Sequence, residues 1–184
     1  FIACGIYMEL FEKSECCEMA KKLAELVKNN NYHFDCGILG TKYIFDALSE
    51  FGYSDVLYKA VTNPEMPSYA YWILNGQTTL CENWDMHYSR FHHMYSEVDN
   101  WFYKHLGGIH IKNGSITIKP CFLNEIETVC VTHRDISVNY DKDKIEICVP
   151  SSALFIADGK ELPLHCGKNV FKRNSSGEMI AAQY

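Results

Sequence analysis

Residues 75–93, NGQTTLCENWDMHYSRFHH, place two carboxylates, an indole and three histidines in one short stretch. Glu82 lies between Cys81 and Trp84. Such apolar neighbours could keep its carboxylate partly out of water, a setting in which a general base works near neutral pH. Taken alone, a glutamate beside a tryptophan reads as a solvated surface group, so the stretch needs a scaffold before it becomes a site. His87, His92 and His93 are of a type that binds zinc, yet no second cluster at ligand spacing occurs. Adjacent histidines also do not readily turn both rings towards one ion, so neither a metal nor a cofactor is expected. Trp72, Trp84 and Trp101, with Tyr69 and Tyr71, could floor a sugar site, except that Trp101 sits on an apolar helix face and reads as core.

The elements that must hold this stretch are helical before it and extended after it. Cys16, Met19, Ala20, Leu23 and Val27 repeat at helical spacing, with Ser14 as the expected N-cap and an Asn29-Asn30-Asn31 stop. A second helix is expected after Thr41, with Ile44, Ala47, Leu48 and Phe51 on one face. A third should run from Ser54 to the Asn63-Pro64 break. The tyrosine-rich residues 68–74 read as a turn. The last helix carries Met94, Val98, Trp101, Phe102 and His105 up to Gly107-Gly108, and with the opening segment the count is about six helices. After Gly108 the period becomes two. Ile109 and Ile111, then Asn113-Gly114, then Ile116 and Ile118 form a strong hairpin signal. Ile136, Val138 and Tyr140, then Ile145, Ile147 and Val149, alternate on either side of an Asp141-Lys142-Asp143 turn. Residues 154–157 and Val170-Phe171 add short strands, and the polar tail after Arg173 is expected to fray. The fold class is therefore α + β in two parts, 1–108 helical and 109–184 a small antiparallel β-sandwich.

The chain has 184 residues, 47% hydrophobic and 22% charged, which excludes a disordered or low-complexity chain. Lys and Arg total 17 against 23 Asp and Glu, a net charge of -6, the wrong sign for a nucleic-acid partner or an anionic membrane. Nine cysteines, an odd number with an adjacent Cys16-Cys17 pair, read as reduced thiols and suggest the cytoplasm, with the periplasm open to a longer parent. The opening FIACGIYMEL has no basic leader and is cut short by Glu9, Glu12 and Lys13. It reads as neither a signal peptide nor a spanning helix, and as the continuation of something longer. The Asn113 and Asn174 sequons are treated as chance matches.

The run GILGTKYIFDALSEFGYSDVLYKAV, then NGQTTLCENWD, SRFHHMY and WFYKHLGGI, resembles the last part of glycoside hydrolase family 78, the bacterial α-L-rhamnosidases. A G-x-L-G-T motif of that family is matched by Gly37, Leu39, Gly40 and Thr41. Gly76, Thr78, Thr79, Glu82, Trp84 and Asp85 match its G-A-T-T-x-W-E-x-W-(D/E), and Ser89 and His92 match its S-x-N-H.

The resemblance implies the C-terminal half of an (α/α)6 barrel, followed by the family's β-sandwich. It also implies an inverting hydrolysis of terminal α-L-rhamnosides, in which the acid and base stand roughly 6.5 to 9.5 Å apart to admit a water. Glu82 falls at the family's general-base position, His92 at that of a histidine contacting the rhamnose ring, and Trp84 and Asp85 beside the base. The family's general acid lies on earlier helices, so this stretch alone is expected to be inactive. Its expected partners are a rhamnose-containing glycoside and the N-terminal half of the barrel, with self-association through the open barrel edge when that half is absent. Departures line the presumed pocket: Cys81 in place of Trp, Gln77 of Ala, Tyr69-Ala70 of Trp-Gly, Phe91 of Asn, and Tyr95-Ser96 of Phe-Gly. A non-catalytic carbohydrate-binding or structural module on the same scaffold, or another (α/α)6 glycosidase, is the alternative.

Overall fold

Apolar residues three and four apart bury one stripe per helix, and this folds the first part of the chain. In the computed structural model, which describes residues 1–34 and 36–182, the chain divides into two units, Phe1–Asp99 and Asn100–Tyr184. The change of period at Gly107-Gly108 lies inside the second unit.

The first unit contains α1 (Ile2–Tyr7), α2 (Lys13–Asn29), α3 (Ile38–Ser49), α4 (Ser54–Val61) and α5 (Tyr69–Leu74). Helix α6 (Glu97–Trp101) follows a 3-10 turn at His93–Tyr95. Helix α3 is central, packing on α1, α2 and α4, and buries Thr41, Ile44, Phe45, Ala47 and Leu48. The start of α2 differs from expectation. Glu12, not Ser14, is its N-cap, in a capping box in which the Glu12 amide donates to Glu15 Oε2 at 3.1 Å. The box recruits Lys13 and Ser14 into the helix. Helix α3 begins at Ile38, ahead of Thr41, because Thr41 Oγ1 donates back to the Gly37 carbonyl at 2.8 Å and is satisfied within the helix. Residues expected as a turn form α5, whose cap, Ser68, accepts the Tyr71 amide at 2.9 Å.

The second unit opens with the end of α6 and a π-helical turn, Phe102–Leu106, in which Phe102 is partly exposed. Two of its carbonyls are met from the strands and loops of the same unit. The Cys121 amide donates to His105 O at 2.8 Å and the Tyr140 hydroxyl to Leu106 O at 3.0 Å. Nine strands follow among the described residues: β1 (Ile109–Lys112), β2 (Ser115–Ile118), β3 (Val129–His133), β4 (Ile136–Tyr140), β5 (Lys144–Val149), β6 (Ala153–Ala157), β7 (Lys160–Leu164), β8 (Gly167–Arg173) and β9 (Met179–Ala181). They form a sheet in the order β1-β2-β6-β7 and another in the order β3-β4-β5-β8-β9.

The β1–β2 hairpin pairs Ile109 with Ile118 around Asn113 and Gly114, whose φ of 51° and 79° suit a primed turn. One buried cluster draws on both sheets, with Phe155 and Phe171 rings 4.8 Å apart. Two expectations are corrected here. The pairing is not wholly antiparallel, since β2 runs parallel to β6. The tail is also tied down: β9 pairs with β8 and buries Met179, whose amide donates to Asp158 Oδ2 at 2.9 Å.

Candidate functional site

Between α5 and the 3-10 turn the chain doubles back on itself without forming a regular ladder. The His92 amide donates to Leu80 O at 2.9 Å and the Glu82 amide to Ser89 O at 2.9 Å, while Thr79 Oγ1 donates to Arg90 O. These bonds align residues 79–82 with 89–92, and positive φ angles at Met86 and Tyr88 turn the tip. On this frame the Ser89 amide donates to Glu82 Oε2 at 3.1 Å, so the carboxylate is held by the arm opposite its own. Glu82 is half-buried, and Cys81 beside it is fully buried, which pushes its thiol above its ordinary pKa.

Trp84 anchors the loop from below. Its Nε1 donates to the Cys36 carbonyl at 2.8 Å, and its own carbonyl accepts from Trp72 Nε1 at 3.0 Å. Its ring stacks on Trp72 at 4.7 Å and on Phe34 at 5.9 Å, and meets Tyr95 at 4.6 Å. The residues named as a sugar floor are thus largely core: Tyr69, Trp72 and Trp101 are buried. Burial pushes the Tyr69 phenol well above its usual pKa and that of Tyr95 to about 12, and the Tyr69 hydroxyl donates to Tyr95 O at 2.9 Å. The 37–41 motif serves the same anchor. A Cβ at Gly40 would lie 2.6 Å from that of Cys36, so the glycine admits the turn that presents the Cys36 carbonyl to Trp84.

Asp85 is exposed at the tip. Its Oδ1 accepts the His87 amide at 3.2 Å and its Oδ2 lies 3.0 Å from His87 Nδ1, contacts that hold the carboxyl below its ordinary range. His92 is half-buried on the returning arm, its ring parallel to that of His93 at 6.0 Å. Its Nδ1 is buried with no hydrogen-bond partner among the described residues. Glu82 and His92 therefore share one loop, Trp84 lies beneath it, and Asp85 points to its tip. No group of three or more His, Cys, Asp or Glu among the described residues could hold a metal ion. No described helix is long and apolar enough to cross a membrane. Sequence reasoning missed the clasp in which Arg90 Nη1 donates to Gln77 Oε1 at 2.7 Å. Its signal was the facing of 77–82 and 89–92 about the 86–88 tip.

Residues 2–106 match the bacterial alpha-L-rhamnosidase 6 hairpin glycosidase domain, and the chain belongs to that family. It is 30% identical over 116 residues to an alpha-L-rhamnosidase of an Alteromonas species, covering 57% of this chain and 13% of that protein. It is 31% identical over 101 residues to an alpha-L-rhamnosidase of Streptomyces avermitilis, covering 49% and 10%. The fold is that of the Streptomyces avermitilis alpha-L-rhamnosidase solved in complex with L-rhamnose. The TM-score is 0.84 at 21% identity, over 92% of this chain and 21% of that one. The chain thus spans only a small fraction of the length of these relatives.

Proposed function

We propose that the chain is the C-terminal part of an inverting α-L-rhamnosidase, with Glu82 as the general base. In this reading the helical unit is half of an (α/α)6 barrel and the two sheets are its β-sandwich. The observation that carries the reading is the Ser89 amide on Glu82 Oε2. One oxygen is fixed, and Oε1 is left to orient a water and take its proton as the water attacks the anomeric carbon. The His92 ring, with its unpartnered buried Nδ1, supports a role in binding a sugar hydroxyl. Trp84 positions the base through the cluster beneath it, and Asp85 orders the tip.

The general acid that protonates the leaving oxygen comes from a segment beyond this chain, so residues 1–184 alone are inactive. The rest of the barrel covers Leu10, Leu26, Leu39, Ile73 and Leu74, which stand exposed in this unit. Without it, copies of the chain associate through that face. The substrate is a terminal α-L-rhamnoside, and the cysteine pattern supports a reducing compartment, the cytoplasm.

The test is turnover of an aryl α-L-rhamnoside by the full-length protein and its Glu82→Gln variant. A loss of about 10³-fold, with β-L-rhamnose as the first product of the unaltered enzyme, is expected. Unchanged turnover removes Glu82 from the mechanism, and an α-L-rhamnose first product removes inversion.

A further inference from the structure

The second unit carries a cleft of about 680 Å³, within the span of small-ligand sites and away from the 75–93 loop in sequence. We propose that it binds an acidic saccharide, a uronate whose carboxylate pairs with lysine and whose ring lies on tyrosine. Its walls are β1 and β3, edge strands of the two sheets, and the π-helical turn at Phe102–Leu106. The turn contributes Tyr103 and Lys104, β1 contributes His110 and Lys112, and β3 contributes His133.

Three observations converge on this ligand. The first is charge. The chain carries a net charge of -6, yet the described lining of this cleft holds Lys104, Lys112, His110 and His133 and, among the described residues, no carboxylate. The two lysines thereby bring positive charge to a place where an anion would be attracted. The second is the aromatic surface. Tyr103 is 42% exposed and its ring meets that of His133 at 5.8 Å and 66°, while Ile111, exposed, lines the same cleft. A bare phosphate would use neither ring nor isoleucine, whereas a pyranose presents a C–H face to an aromatic plane and its carboxylate to the lysines. The third is the backbone. The Gly107 amide donates to Phe102 O at 2.8 Å, closing a wide i to i+5 turn of a kind often retained at functional sites. Bonds from Cys121 and the Tyr140 hydroxyl brace that turn, so Tyr103 and Lys104 are carried on a fixed support.

A saccharide as the carrier of the carboxylate rests on the rhamnosidase reading, but binding in this cleft needs no chemistry at Glu82. The experiment is calorimetric titration of the 184-residue chain with trigalacturonate, with maltotriose and with inorganic phosphate. Saturable binding of trigalacturonate alone is expected, weakened about tenfold in Lys112→Glu and in Tyr103→Ala, each with an unchanged far-ultraviolet spectrum. Lys112→Ala, a smaller change at an exposed strand end, gives the same direction if either variant unfolds. Absence of saturable binding overturns the proposal, as does equal affinity in the variants or equal binding of phosphate. Trigalacturonate binding by a protein whose Glu82→Gln variant keeps full turnover would sink the catalytic reading alone. Loss of turnover in that variant without trigalacturonate binding would sink only the cleft.

Discussion

The two sheets and the 79–92 loop hold their residues by different means. In the sheets, alternating Ile136, Val138, Ile145 and Ile147 bury one face, and the backbone groups find partners in register along β4, β5 and β8. Each position is thus determined many times over by its neighbours. The loop has no such redundancy. Two backbone pairings, the Thr79 and Arg90 side-chain bonds and one indole set where Glu82 stands. The base role proposed for Glu82 asks for a precise mount that leaves the carboxylate accessible, and a loop gripped at a few points supplies this where a continuous ladder would cover it.

The comparison is most open to attack at Trp84. Trp84→Ala removes a ring packed against Phe34, Trp72 and Tyr95 and the indole hydrogen bond to the Cys36 carbonyl. We expect a loss of about 3 kcal/mol in the first unit, at the lower end of the range for large aromatic truncations because the residue is only half-buried. Hydrogen exchange checks it residue by residue. Amides of α3 should lose protection while those of β4 and β5 keep it. Equal loss in both would mean that the units unfold as one, and the contrast between them would fail.

The same contrast explains what could be read in advance. The hairpin at 109–118 and the strands at 136–149 were legible because a period of two and Asn-Gly chemistry are local properties. Strand β7 carries no strand signal in the sequence because KELPL has a proline and few apolar residues, which its place at a sheet edge tolerates. Helix α5 reads as a turn in the sequence because its aromatic residues favour helix only weakly, and its stability comes from Tyr69 and Trp72 in the aromatic cluster. At the site, Glu82, Trp84, Asp85 and His92 were named through the resemblance of their motifs, since no periodicity marks them. The bond from Trp84 to Cys36 spans 48 positions and had no local signature.

A smaller effect probes how tightly the second unit is closed where its strands begin. A Cβ at Gly108 would lie 2.1 Å from the Pro120 nitrogen, and the residue has a φ of +68°. Gly114 has a φ of +79° with open space around it. Gly108→Ala should therefore cost about 2 to 3 kcal/mol, and Gly114→Ala about 1 kcal/mol, in urea midpoints followed by the far-ultraviolet signal. The difference isolates the clash with the 119–120 backbone, whose Lys119 amide donates to the Gly108 carbonyl at 2.7 Å. Equal costs would show that this corner yields.

The weakest expected effect lies on the outer face of the sheet that the core makes robust. Glu146 on β5 pairs with Lys144 on its own strand and with Lys168 on β8 at 2.9 Å, and hydrogen bonds from the two lysines hold its carboxyl at about 2 against an ordinary 4.5. The folded-state value is depressed, so the pairing stabilises the fold fully above the unfolded value and loses that contribution as pH falls from about 4.5 towards 2. Glu146→Gln should lower the urea midpoint slightly at pH 7, and the gap to the unaltered chain should close as the pH is taken down through that window. Added salt should narrow the gap at pH 7 as well, since all three side chains are solvent-accessible and screened. A gap that widens on acidification would mean that the carboxylate is tolerated rather than used. The sheet would then owe its stability to the buried Ile145 and Ile147 on its opposite face alone.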